Sequence, residues 1–226
     1  MNPLSFSAIN TFDTCPRQFH HLYILKDVRS KTTEANLWGT KCHKQLEEYI
    51  KENKEITEPA ARRGVPYITA ARTSFPGCSE RVEWKWGLSG TWGPVGFFGD
   101  PMLRGVVDYL AISEDQTKAV VVDWKFGKKK EDLRQLSLFA LAVFCHFPKV
   151  EKVRTIYAWL KTDNDTPTVK DYARGDIEIL KCEWLGSIRQ VEERLEVDVF
   201  PPKPSGLCRG WCPVDSCTHY VAPRGQ

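Results

Sequence analysis

The segment from Leu103 to Lys130, LRGVVDYLAISEDQTKAVVVDWKFGKKK, constrains the fold more than any other part of the chain. Two apolar, β-branched stretches flank a polar turn made of Ser113, Glu114, Asp115, Gln116 and Thr117, the pattern of an antiparallel hairpin. A turn centred between Asp115 and Gln116 sets Asp108 opposite Asp123. Opposed residues in such a pair have Cα atoms ~4.5–5.5 Å apart and project to one face. Lys125, two residues beyond Asp123, shares that face through the strand's period of two.

Two like charges side by side on a ribbon of valine and leucine are unfavourable unless something positive lies between them. A divalent cation such as Mg²⁺ or Mn²⁺ suits that position, because it takes carboxylate oxygens. Asp108, Asp123 and Lys125 on one face then fit phosphodiester hydrolysis. The cation polarises the phosphate and lowers the pKa of a water, and the lysine orients that water or neutralises charge developing in the transition state. A plain structural reading stands beside this one: Asp123 and Lys125 as an exposed ion pair, and Asp108 as a solvated residue near a turn. A one-residue slip of register would send every side chain to the other face.

The elements around the hairpin place it in an α/β (α+β) fold. Ser5 or Ser7 caps a short first helix, and Pro16 opens a second that runs to Ile24. Gly39 and Thr40 precede an amphipathic helix over 41–51. A helical stretch over 58–73 is interrupted by Gly64 and Pro66. Strands follow over 81–88, 103–112 and 119–124, then a helix over 131–147, strands over 153–160 and 169–173, and a long helix over 176–197. The expectation is one domain over 1–226, with a helical N-terminal part (1–78), a core of mixed central sheet flanked by helices (79–198), and an irregular Cys-rich tail (199–226).

Composition narrows the setting. A chain of 226 residues buries a sizeable core, and a net charge of +3 permits a nucleic-acid partner without demanding one. There is no apolar run of transmembrane length and no basic-then-apolar leader at the N-terminus, so a cytoplasmic location is expected. In that compartment the eight cysteines are free thiols or metal ligands rather than disulfides.

Five segments, in order, resemble the RecB-like exonuclease branch of the PD-(D/E)XK nuclease superfamily. They are SFSAINTFDTCPRQFHHLYI, GTKCHKQLEEYI, RGVVDYLAI, VVVDWKFGKKK and RQLSLFALAVF, matching the opening Cys-Pro-Arg segment and the G-x-x-x-H, G-x-x-D, D-x-K and Q-x-x-x-Y motifs. The resemblance implies a restriction-endonuclease-like core and a Mg²⁺- or Mn²⁺-dependent deoxyribonuclease. It assigns His43, Asp108 and Asp123 to the metal, with the Trp124 backbone carbonyl as a further oxygen. Lys125, Asp108, Asp123 and Gln135 become the catalytic set, Gln135 contacting DNA or orienting the lysine. The motif's tyrosine is here Phe139, which keeps packing and loses the hydroxyl. Glu83 matches an acidic strand position, with Glu80 as competitor.

Lys128, Lys129, Lys130 and Arg134 follow the active-site strand and fit phosphate contacts that ignore base sequence; a charge run is also what a solvated face looks like. Trp84, Trp86 and Trp92 offer stacking surfaces or core packing. In the tail, Cys208, Cys212 and Cys217 lie within ten residues on a Gly/Pro-rich loop. AddB-type and CRISPR-associated nucleases of this branch hold a [4Fe–4S] cluster with one N-terminal and three C-terminal cysteines. By that likeness Cys15 joins the trio and a cluster joins the two chain ends. The C-x3-C-x4-C spacing departs from that family's, so zinc (with His219 as a further ligand) and ordinary reduced thiols remain open. Cys42, Cys78, Cys145 and Cys182 read as packing residues.

The function expected from this pattern is exonucleolytic DNA processing in phage or mobile-element recombination. The alternatives are CRISPR-associated trimming before spacer integration, a catalytically silent DNA-binding subunit, or a zinc-stabilised interaction module. The sequence has no G-x-x-x-x-G-K-[ST] loop, so unwinding falls to a helicase or recombinase partner, or the substrate is already a single strand or a duplex end.

Overall fold

The computed structural model describes residues 3–129, 132–162 and 165–222, so Lys130 lies outside the described residues. The chain divides into two compact units, one built on Glu34–Cys182 and the other on Leu4–Thr33 with Glu183–Gln226.

The first unit is organised by a six-stranded mixed sheet. Its strands are β1 (Ser79–Leu88), β2 (Pro94–Val95), β3 (Leu103–Ile112), β4 (Lys118–Lys125), β5 (Lys152–Trp159) and β6 (Thr168–Ala173), in the order β2-β1-β3-β4-β5-β6. Only β4 and β5 run parallel. A parallel pair needs a crossover, and helix α6 (Arg134–His146) supplies it. From Leu136 to Phe144 every residue of α6 is buried, as a crossover helix covered on several sides requires. Helices α3 (Glu34–Glu52), α4 (Pro59–Arg62) and α5 (Val65–Ser74) form a core with the sheet, in which Cys42, Leu46, Ile68 and Ala71 join Tyr109, Val122, Trp124 and Ala158.

The β3–β4 hairpin has the expected register, with Tyr109 paired to Val122 and Ile112 to Ala119. Asp115 locks its turn by accepting hydrogen bonds from Ser113 Oγ at 2.6 Å and the Thr117 N–H at 3.0 Å. The Ser113 bond, with those from Thr117, holds the exposed Asp115 carboxyl down to about 2.

Several boundaries differ from the sequence expectation. Helix α3 begins at Glu34 and takes Gly39 and Thr40 into its interior. A mid-helix glycine costs ~1 kcal/mol, which the anchoring of Trp38 offsets: its indole N–H donates to Glu58 and its ring meets Phe126. Helix α6 starts at Arg134, because the Asp132 carboxylate accepts the Arg134 N–H at 3.0 Å and makes a turn there. Strand β2 was not anticipated; two residues at a sheet edge, one of them proline, give no periodic signal.

In the second unit, Ser5 caps α1 (Phe6–Thr14) by accepting the Ala8 N–H at 3.2 Å, and Pro16 opens α2 (Pro16–Phe19). The helix continues as a π-turn, His20–Leu25, and Lys26 ends it with φ of 56°. Helix α7 (Ile177–Val197) carries the boundary between the units within it. The tail is largely irregular, with one 3₁₀ turn (Gly206–Cys208) and a bridge from Arg209 to Val221.

Candidate active site

Hydrogen bonding between β3 and β4 ends at Tyr109–Val122, one pair short of the two aspartates. There the Trp124 N–H donates to Asp108 Oδ2 at 2.7 Å, so a carboxylate replaces the ladder acceptor. Asp108 Oδ1 lies 3.4 Å from His43 Nδ1, brought in by α3. The His43 ring stands edge-on to Phe126 at 5.2 Å. On the other side of Asp108, the β1–β3 register brings Glu83 alongside: Val82 pairs with Tyr109 and Trp84 with Val107, while Glu83 itself has φ of 52°. A left-handed non-glycine residue inside a strand is strained, by roughly 1–3 kcal/mol, and such strain persists where surrounding structure fixes it.

His43, Glu83 and Asp108 each offer a ligand atom, and these atoms lie within 4.8 Å of one another. Glu80 does not compete. Its carboxylate is bound by Arg72 through Nε and Nη2, both at 2.9 Å, and by the Tyr109 hydroxyl.

Asp123 is buried, and its Oδ2 has Lys125 Nζ as its charge partner at 2.5 Å. Lys125 Nζ in turn donates to Gln135 Oε1 at 2.9 Å and lies 4.9 Å from the centre of the Tyr157 ring. Tyr157, which sequence reading missed, sits beside Asp123 in the parallel β4–β5 register and donates its hydroxyl to Gln135 Oε1 at 3.4 Å. Its place is set by a strand pairing that the sequence does not display.

The electrostatics follow from crowding acid groups in a partly buried site. Burial, then Asp108, raises the Asp123 pKa against the pull of Lys125. Burial and Asp108 likewise raise Glu83. For His43, burial favours the neutral ring, but its hydrogen bond to Asp108 and the charges of Asp108, Asp123 and Glu83 raise the pKa overall. Raised carboxyl groups and a mixed oxygen–nitrogen ligand set are what a divalent cation would relieve. The residues fit such an ion.

The family model for the PD-(D/E)XK nuclease superfamily matches residues 3–217. The chain belongs to that superfamily. PD-(D/E)XK nucleases depend on divalent metal ions, and the His43–Glu83–Asp108 group is compatible with one. No curated protein matches the chain. The solved structure titled "Crystal structure of SSO0001" is similar at 13% identity and a TM-score of 0.42, covering 97% of this chain and 87% of that one.

The other residues singled out in the sequence fall as follows. Lys128 and Lys129 are exposed, Lys129 donating to Thr166, while Arg134 is engaged by Asp132. Phe139 is buried within α6. Trp86 is buried, Trp84 packs against His146 and Phe147, and Trp92 is half-buried in a turn with φ of 65°.

In the second unit, Cys15, Cys208, Cys212 and Cys217 are neighbours. The Lys203 N–H points to Cys15 Sγ at 3.4 Å and the Ser205 N–H to Cys208 Sγ at 3.5 Å. Burial, and then the other three cysteines, raise the Cys212 pKa. His219 is exposed. Cys42 is a core residue whose thiol burial pushes up to about 11, whereas Cys182 is exposed and does not pack as expected.

Among the described residues no helix is long and apolar enough to cross a membrane.

Proposed function

We propose that this nuclease is a RecB-like deoxyribonuclease that acts as an exonuclease with Mg²⁺ or Mn²⁺. The observation that carries the reading is Lys125, whose ammonium is held between Asp123 and Gln135 beside the His43–Glu83–Asp108 group. His43, Asp108 and Asp123 would hold the cation, with Glu83 added to the set and the Trp124 carbonyl as a further oxygen. Once bound, such an ion polarises a phosphate and lowers the pKa of a water.

The remaining work belongs to the chain's own groups. The Trp124 amide fixes one Asp108 oxygen and leaves the other directed at His43. Gln135 and the Tyr157 ring set the direction of the Lys125 ammonium, so its charge is in place before negative charge develops on the substrate. Lys128 and Lys129, with Lys130 beside them in sequence, would hold the DNA backbone; Arg134 contributes less, because Asp132 already neutralises it.

Cys15, Cys208, Cys212 and Cys217 would bind an iron–sulfur cluster that joins the chain ends. Two amide-to-sulfur contacts support this, as does the proximity of Cys15, Cys208 and Cys217 to Cys212. The family match spans both compact units, which supports reading them as one nuclease domain. The setting proposed is cytoplasmic DNA processing in phage or mobile-element recombination, with a helicase or recombinase partner.

Cleavage of end-labelled single-stranded and duplex DNA, with closed circular DNA alongside, tests the reading. Metal-dependent ladders from one end, with circles left intact, are expected. Cutting of circles would replace exonuclease by endonuclease action. No cutting by folded, cofactor-loaded protein would leave a silent DNA-binding subunit.

A further inference from the structure

Between β2 and β3 the chain makes a tight turn, Gly96–Gly99, closed by the Gly99 N–H donating to the Gly96 carbonyl at 2.9 Å. Its two central residues are Phe97 and Phe98. Such positions ordinarily hold proline, asparagine, aspartate or glycine, and here Phe98 is 83% exposed. Phe97 braces it edge-on, with ring centres 5.0 Å apart. The Arg104 guanidinium lies 4.7 Å and the Lys85 ammonium 6.0 Å from the Phe97 ring centre.

The place of this aromatic–cationic tip gives it meaning. Along β3, Leu103, Val107 and Tyr109 are buried, while Arg104, Val106 and Asp108 alternate with them on the less buried side. Arg104 is four residues from Asp108, or ~13 Å at ~3.3 Å per residue. The tip and the candidate metal site therefore share one side of a continuous strand.

We propose that Phe98, Lys85 and Arg104 form a binding platform for single-stranded DNA leading away from the active site. Phe98 stacks on an unpaired base, and the two cations hold the flanking phosphates. A paired base keeps its faces within the helix, so the platform selects single strands or frayed ends over intact duplex. This substrate class rests on the nuclease reading above.

The test uses the full chain with Ca²⁺ in place of the catalytic metal, and fluorescence anisotropy of labelled single-stranded and duplex oligonucleotides. Phe98→Ala is expected to weaken single-strand binding about tenfold and duplex binding less than twofold, with Phe98→Trp restoring it. Lys85→Gln and Arg104→Gln each lower the salt dependence by about one phosphate contact. Single-strand binding indifferent to Phe98, or absent in wild type, overturns the platform even if DNA is cut. Binding that depends on Phe98 in a protein that cuts nothing sinks the nuclease reading and leaves the platform standing. Equal losses on single strand and duplex would make Phe98 a general contact and overturn the selectivity.

Discussion

The Trp124 N–H donates to Asp108 Oδ2 at 2.7 Å where β3 and β4 part. One strand thus supplies the amide and the next the carboxylate, and the gap left in the ladder is where Glu83, Asp108 and His43 meet, with the charge of Asp108 felt at Asp123. The site is a product of sheet geometry: three acid groups come from three adjacent strands, and α3 supplies the histidine over them.

Glu80 and Glu83 separate stability from activity. Glu80→Ala leaves the buried Tyr109 hydroxyl and Arg72 without their partner, so a loss of roughly 1–3 kcal/mol is expected, with the cleavage rate of the folded fraction unchanged. Glu83→Gln is expected to leave the melting temperature within a degree or two and to cut metal affinity about tenfold or more. Thermal melts and metal titration of both variants check this.

Asp123 gives the site a pH signature. Its raised pKa, due first to burial and then to Asp108, contributes stability that is full below the ordinary carboxylate pKa of ~3.9. That contribution is lost as pH rises through the raised value. In chelator, Asp123→Asn should melt several degrees above wild type near neutral pH, and the two should converge in acid. Added Mg²⁺ should raise the melting temperature of wild type and leave that of the variant unmoved. Melts across pH, with and without metal, are the measurement.

Gly105 is held by packing. A Cβ there would come 2.5 Å from the buried Trp86 ring. Gly105→Ala should therefore destabilise by about 1–3 kcal/mol, read by denaturant unfolding, three residues from Asp108.

The cysteine set has its own test. Protein purified without oxygen should carry iron and sulfide and absorb visible light. Cys212→Ser should lose both and Cys182→Ser neither. Stoichiometric zinc without iron would contradict the cluster.

Much of this was legible in the sequence because a hairpin is a local object. The turn at Ser113–Thr117 sets the register that brings Asp108 to Asp123, and no distant contact is needed to find it. Glu83 and Tyr157 depend on how β1 and β5 pair with that hairpin, and nothing in SERVEWKWGL or KVRTIYAW encodes either partner. Glu80 and Glu83 look alike in the sequence; only the Arg72 and Tyr109 contacts separate them. The early start of α3 was hidden by Gly39, whose local preference is overridden by the packing of Trp38.

Lys125→Ala tests the central claim most directly, read as single-turnover cleavage of labelled DNA beside the Mg²⁺-induced thermal shift. Cleavage is expected to fall about 10²–10³-fold while the thermal shift persists, since Lys125 is not among the proposed ligands. A variant that cuts at the wild-type rate would place the chemistry elsewhere and contradict the assignment.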